Sequence, residues 1–219
     1  MKKFRILRVF VVIFLLIPEA DQHTEEKTMS TAETTHQKYT YADYAQWPED
    51  ERWELIDGVA YAMTGPQRLH QDIVFELGGQ VRNYLQGKPC KGYVAPFDVR
   101  LPRKDEADAK VETVVQPDLS VICDQSKLDK LGCRGAPDWI IEVLSPSTTL
   151  KDMNTKRSLY EQHGVQEYWI IHPEDRWLMV YTLDAQGRYG KPGVFGMDEP
   201  TAVQRLPDLS IDWSFMAEI

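Results

Sequence analysis

Cysteine is scarce in this chain. Cys90, Cys123 and Cys133 are the whole complement, an odd number with no CxxC spacing. On that count a disulfide framework and a structural zinc site are both disfavoured, and a reducing compartment is the natural reading. Long apolar runs are missing too. The longest, Val9 to Ile17, falls short of the roughly 20 residues that a helix needs to cross a bilayer. Positive charge is in deficit, with 25 Lys and Arg against 34 Asp and Glu and a formal net charge of −9. That counts against a basic, non-specific coat for nucleic acid, which needs clustered cations to displace counterions from phosphate. It leaves open an enzyme that meets phosphate through a metal ion. There is no internal repeat and no low-complexity tract. With 42% hydrophobic and 27% charged residues, the chain is neither disordered nor a multi-span membrane protein. Its 219 residues suit one domain with a substantial core.

The first 28 residues stand apart. Lys2, Lys3, Arg5 and Arg8 precede the Val9 to Ile17 run, the outline of a secretory signal, but Pro18-Glu19-Ala20 makes a poor cleavage site. The segment reads as a signal-like leader, a membrane-surface anchor, or residues upstream of a true start at Met29. Residues 29–38 read as a flexible lead-in and residues 39–219 as the domain. Without the leader, 20 basic residues face 30 acidic ones, so the domain itself is acidic. A cytoplasmic location is expected, or an anchored or exported one if the leader is genuine; no stable membrane partner is expected otherwise.

Along the domain, Tyr39 to Trp47 predicts a short helix. Trp53 to Met63 predicts a hairpin around Asp57-Gly58, a strong turn signal. Ile73, Val74, Leu77, Val81 and Leu85 recur at helical spacing and predict a helix over 69–85. Tyr93, Ala95, Phe97, Val99 and Leu101 alternate and predict one strand. A charged loop over 102–112 follows, then a strand from Asp118 to Cys123, and a polar loop from Asp124 to Pro137. Trp139 to Leu144 reads as a central strand, with a helix from about Leu150 to His163 closed by Gly164. Strands are expected over Glu167 to His172 and Trp177 to Leu183, with short ones near Gly193 and Leu209. Sheet with few helices in mixed order points to an α/β or α+β domain.

Two acids sit where acids are costly. Asp118 opens one strand, and Glu142 lies inside Trp139-Ile140-Ile141-Glu142-Val143-Leu144, whose other five residues are apolar. A buried carboxylate must be paired, hydrogen-bonded or metal-bound. If the two strands are neighbours, both acids can enter one pocket and suit Mg²⁺, a hard cation content with few protein ligands. Asp152, Lys156 and Tyr160 follow at i, i+4 and i+8, so a helix would line them on one face.

The order Asp, Glu, Lys resembles the PD-(D/E)XK nuclease superfamily. More closely, the chain is similar to the Uma-type family of restriction-endonuclease-like proteins. The likeness rests on Glu54-Leu55-Ile56-Asp57-Gly58, His70, Pro117-Asp118-Leu119-Ser120-Val121, Gly135-Ala136-Pro137-Asp138 and Glu142-Val143-Leu144-Ser145-Pro146-Ser147-Thr148. It continues through Asp152, Lys156, Tyr160, Gly164-Val165 and Glu167-Tyr168-Trp169, and covers Tyr39 to the C-terminus. It implies a restriction-endonuclease-like core, a mixed central sheet flanked by helices. It also implies a metal-dependent endonuclease acting on DNA, with Mg²⁺ (Mn²⁺ as substitute) on Asp118, Glu142 and the Val143 carbonyl. Lys156, Glu54 and Tyr160 complete the implied catalytic set. The superfamily lysine two residues after the Glu is Leu144 here, so Lys156 on the following helix is the substitute. An acidic monomer binds DNA poorly, which favours a homodimer. The alternative is an inactive nuclease-fold module that binds nucleic acid or a protein.

Plainer roles compete for several of these residues. Asp118 after Pro117 can close a turn, and Asp152 three residues after Thr149 can complete a helix cap. Lys156 can be a solvated lysine and Tyr160 a packing residue. Glu54 can pair with Arg52 or with Lys156, and His70 can be a surface histidine. Trp139, Trp169 and Trp177 are expected in the core.

Overall fold

A computed structural model describes residues 37–146 and 148–219, so the leader and most of the lead-in lie outside the described residues. Tyr41–Tyr44 forms a short helix, α1, capped by Thr40, whose N–H and hydroxyl both donate to the Asp43 carboxylate. Strands β1 (Trp53–Ile56) and β2 (Val59–Ala62) form the expected hairpin, turning on Asp57 and Gly58, both with positive φ (51° and 83°). Two successive left-handed residues match the strand twist, which is why Asp-Gly serves here. Helix α2 (Arg68–Leu85) buries Ile73, Val74, Leu77, Val81 and Leu85, the stripe read from the sequence.

The single strand expected over Tyr93 to Leu101 is instead two strands, β3 (Lys91–Val94) and β4 (Val99–Arg100), which join different sheets. Pro96 interrupts them, since it has no N–H to offer a ladder. Strand β5 (Val114–Val115) follows, then β6 (Leu119–Ile122). The stretch expected as a polar loop holds the small hairpin β7 (Leu128–Asp129) and β8 (Gly132–Arg134). Strand β9 (Trp139–Val143) leads to a helix over residues 149–163 whose middle, Lys151–Lys156, is a π-helix and whose last part is α3 (Arg157–His163). Left-handed Gly164 ends it as expected. Strands β10 (Glu167–His172), β11 (Trp177–Thr182), β12 (Gly193–Gly196), β13 (Thr201–Ala202) and β14 (Ser210–Ile211) complete the chain.

Among the described residues two six-stranded sheets result, ordered β2-β1-β5-β4-β8-β7 and β12-β11-β10-β9-β6-β3, with β13 and β14 paired as a small third sheet. The architecture is mixed α+β, because β9 runs parallel to β10 and antiparallel to β6. β9 is interior, and successive residues face opposite ways. Trp139, Ile141 and Val143 join α2 and the C-terminal segment in one core; Ile140 and Leu144 join Leu159, Tyr160 and Tyr168 in a second. Trp139 and Trp169 are fully buried and Trp177 is half-buried. No helix among the described residues is long and apolar enough to cross a membrane.

One expectation is overturned here. Cys90 and Cys123 form a disulfide, leaving Cys133 as a buried free thiol. The β3–β6 register pairs Lys91 with Ile122, which sets the two flanking cysteines face to face. Cysteine usage therefore no longer argues for a reducing compartment.

Candidate active site

The β6–β9 register brings the two conspicuous acids together. Leu119 faces Ile141 and Ser120 faces Ile140, so one step further Asp118 lies across from Glu142 on the same face. Asp118 Oδ2 accepts the Val143 N–H at 2.8 Å and lies 3.1 Å from His70 Nε2. His70 thus leaves the role of a surface histidine and braces Asp118 from the first turn of α2. Glu142 Oε1 accepts from Lys156 Nζ (2.8 Å) and from the Tyr160 hydroxyl (2.7 Å).

Glu54 arrives from β1. Its Oε1 accepts the Gln116 N–H at 3.1 Å and lies 2.7 Å from Lys156 Nζ, while Oε2 accepts from Lys151 Nζ at 2.7 Å. Its partners are these lysines and not Arg52. The π-helix makes this double grip possible. Residues five apart diverge by about 140° around an α-helix. A turn closed by i→i+5 bonds brings them into rough alignment, so Lys151 and Lys156 reach the same carboxylate. Asp152 is buried 3.6 Å from Lys156 Nζ. It makes no cap with Thr149, whose hydroxyl donates to the Ser145 carbonyl instead.

Four carboxylates (Glu54, Asp118, Glu142, Asp152) therefore meet two ammonium groups (Lys151, Lys156). Burial pushes Glu54 up, but Lys156 and Lys151 outweigh it and bring its pKa down to about 2. Burial, reinforced by Asp152, Asp118 and Glu54, pushes Glu142 well above the usual carboxylate range despite Lys156. Burial also works against charge on Lys156, yet Glu142, Glu54 and Asp152 hold it firmly protonated. Tyr160 is raised by burial and by Glu142, so it stays a hydrogen-bond donor. The cluster thus sets a charged Lys156–Glu54 pair beside a Glu142 whose carboxyl is pushed up by burial and by its acidic neighbours.

Glu54, His70, Asp118, Glu142, Val143, Asp152 and Lys156 are among the residues that line one cavity of about 1360 Å³. Tyr160 stands behind it, wholly buried. Asp118 and Glu142 are each engaged through one oxygen. Asp118 Oδ1 and Glu142 Oε2 have no hydrogen-bond partner among the described residues. Among those residues no group of three or more His, Cys, Asp and Glu side chains is arranged to hold a metal ion. Two carboxylates with a free oxygen each still match Mg²⁺, which takes one or two carboxylates and keeps its waters. Leu144, at the motif-lysine position, is buried in the second core and adds no charge. Sequence reasoning missed Lys151 and Gln116; only the π-turn and the β1–β5 contact bring them in.

A sequence model of the Uma2 family, described as putative restriction endonuclease, matches residues 41–214. An uncharacterized protein, slr1290, from Synechocystis is 30% identical over 137 residues, 61% of this chain and 68% of that protein. The crystal structure of a putative nuclease belonging to DUF820, from Anabaena variabilis, superposes with a TM-score of 0.65 at 20% identity. That likeness covers 82% of this chain and 97% of the other and concerns the fold.

Proposed function

The chain belongs to the Uma2 family of putative restriction endonucleases, and from that premise we propose that it is a metal-dependent endonuclease that hydrolyses phosphodiester bonds of DNA. The observation that carries the reading is Asp118 facing Glu142 across β6 and β9, both lining a large cavity and each with one oxygen that no described residue bonds. Asp118 and Glu142, with the Val143 carbonyl, would hold Mg²⁺ or Mn²⁺. When bound, the ion polarises a phosphoryl oxygen and lowers the pKa of water.

The chain's own groups then have separable parts. The Val143 N–H and His70 fix Asp118. Lys156 and Tyr160 grip one oxygen of Glu142, which leaves the other free of hydrogen bonds to described residues. Lys156 adds positive charge beside the place where negative charge grows on the phosphate, an effect strongest in a dry site. Glu54 holds Lys156 in place and keeps it charged. We place the enzyme as a homodimer on DNA, which pools two metal sites and the local basic patches, and in the cytoplasm, or anchored or exported if the leader is genuine.

A second reading has its own support. Leu144 replaces the motif lysine, and Lys156 faces acids in this arrangement. On that reading the module binds nucleic acid or a protein without cutting. Calorimetry with Mn²⁺ and nicking of supercoiled plasmid decide. Under the endonuclease reading Asp118→Ala and Glu142→Ala each weaken Mn²⁺ binding sharply and abolish nicking. Wild type that binds Mn²⁺ yet is as inert as Glu142→Ala on DNA and RNA establishes the non-cleaving module.

A further inference from the structure

Arg52 immediately precedes β1 and extends its ladder, since its carbonyl accepts the Met63 N–H at 2.8 Å. It therefore shares a strand face with Glu54, two residues on and about 7 Å away along the strand. It is half-buried and lines the same cavity as the acid cluster. No carboxylate among the described residues forms an ion pair with it. Its guanidinium is held by a neutral group: Nε and Nη2 donate to Gln116 Oε1 at 3.1 and 2.9 Å.

That amide is itself locked. Gln116 Nε2 donates to the Tyr44 hydroxyl (3.1 Å) and to Asp98 Oδ1 (2.9 Å), and Tyr44 donates to the same Asp98 oxygen at 2.9 Å. Both lone pairs and both N–H groups of the amide are thus used, which fixes its carbonyl toward Arg52. The Gln116 backbone N–H meanwhile ties the same residue to Glu54. Arg52 is therefore oriented without being neutralised, and its Nη1 makes no hydrogen bond to a described residue. A guanidinium left with free donors and full charge, beside a cavity, matches a phosphate in geometry and in sign.

We infer that Arg52 is a substrate-positioning residue that binds the phosphate neighbouring the one attacked at the Asp118–Glu142 cluster, held in place by Gln116. The inference rests on the endonuclease reading for its substrate, and its test can be read separately. A structural clamp between β1 and the segment before β6 would need the Arg52–Gln116 bonds but no spare cationic donor. An anion-binding residue needs both.

The test measures binding of a short fluorescein-labelled DNA duplex by anisotropy, with Ca²⁺ in place of Mg²⁺, over a series of salt concentrations. The full chain is compared with Arg52→Gln and Gln116→Leu, alongside plasmid nicking with Mn²⁺. Arg52→Gln is expected to bind about ten-fold more weakly or worse. Its plot of log affinity against log salt should be shallower by about one phosphate contact. Gln116→Leu, which keeps the charge but frees it, should weaken binding with the salt slope unchanged. Mn²⁺ affinity should not change in either variant. If Arg52→Gln melts like wild type and keeps its affinity and slope, the inference is overturned while the endonuclease reading stands. If wild type binds DNA but never nicks it, the endonuclease reading fails and the slope still decides Arg52. If wild type neither binds nor nicks, both are overturned.

Discussion

Replacing Lys156 by methionine keeps the volume of the side chain and removes an ammonium that bonds Glu54 at 2.7 Å and Glu142 at 2.8 Å. Glu54 is wholly buried, so it cannot turn to water for compensation. A Glu54 carboxyl brought from 4.5 to about 2 in the folded state contributes about 3 kcal/mol to stability at neutral pH. Lys151 supplies part of this, but the Glu142 contact adds to the loss. Breaking a buried pair from one side typically costs about 3–5 kcal/mol. We therefore expect Lys156→Met to lose about 3 kcal/mol at pH 7. The sign with pH follows from the direction of the shift. Glu54 is depressed, so its contribution is present above the unfolded value and fades as pH falls through 4.5 toward 2. The gap between wild type and variant should shrink in acid. Urea unfolding at neutral pH and near pH 3.5, with equal m-values, measures it. The double variant Lys156→Met with Glu54→Gln should recover part of the loss, because the buried carboxylate that Lys151 alone would have to balance is gone. A loss under about 1 kcal/mol at pH 7, or an equal loss at both pH values, would refute the account of a buried charged Lys156–Glu54 pair.

Two further outcomes test the fold around the site. Burial pushes the Cys133 thiol up to about 12, so it should resist iodoacetamide at pH 8 in the folded protein and react on denaturation; rapid native alkylation would contradict its placement. Gly132 has a φ of 125°, and a Cβ there would collide with the Asp98 carbonyl, so Gly132→Ala should cost more than about 2 kcal/mol in urea unfolding, and a variant as stable as wild type would count against the β7–β8 turn.

The part of this protein that its sequence determined alone is the part set by near neighbours. Asp57-Gly58 takes the two left-handed conformations that a tight hairpin needs. The 73, 74, 77, 81, 85 stripe has one buried solution, a helix on a sheet. Glu142 among five apolar residues announces a carboxylate that something must compensate. Period and composition act over a few residues, so they can be read without the fold.

What only the tertiary structure decided depends on register and on local departures from ideal geometry. Alternation carried through Pro96 suggested one strand, but the two halves joined different sheets. Cys90 and Cys123, 33 residues apart in sequence, meet because β3 and β6 pair in one register out of many. Asp118 faces Glu142 for the same kind of reason. The i, i+4, i+8 spacing correctly grouped Asp152, Lys156 and Tyr160, yet no α-helical wheel puts Lys151 beside Lys156; the π-turn does. Strand pairing and a widened helical turn are chosen by total packing across the whole domain, and no short window of sequence contains that sum.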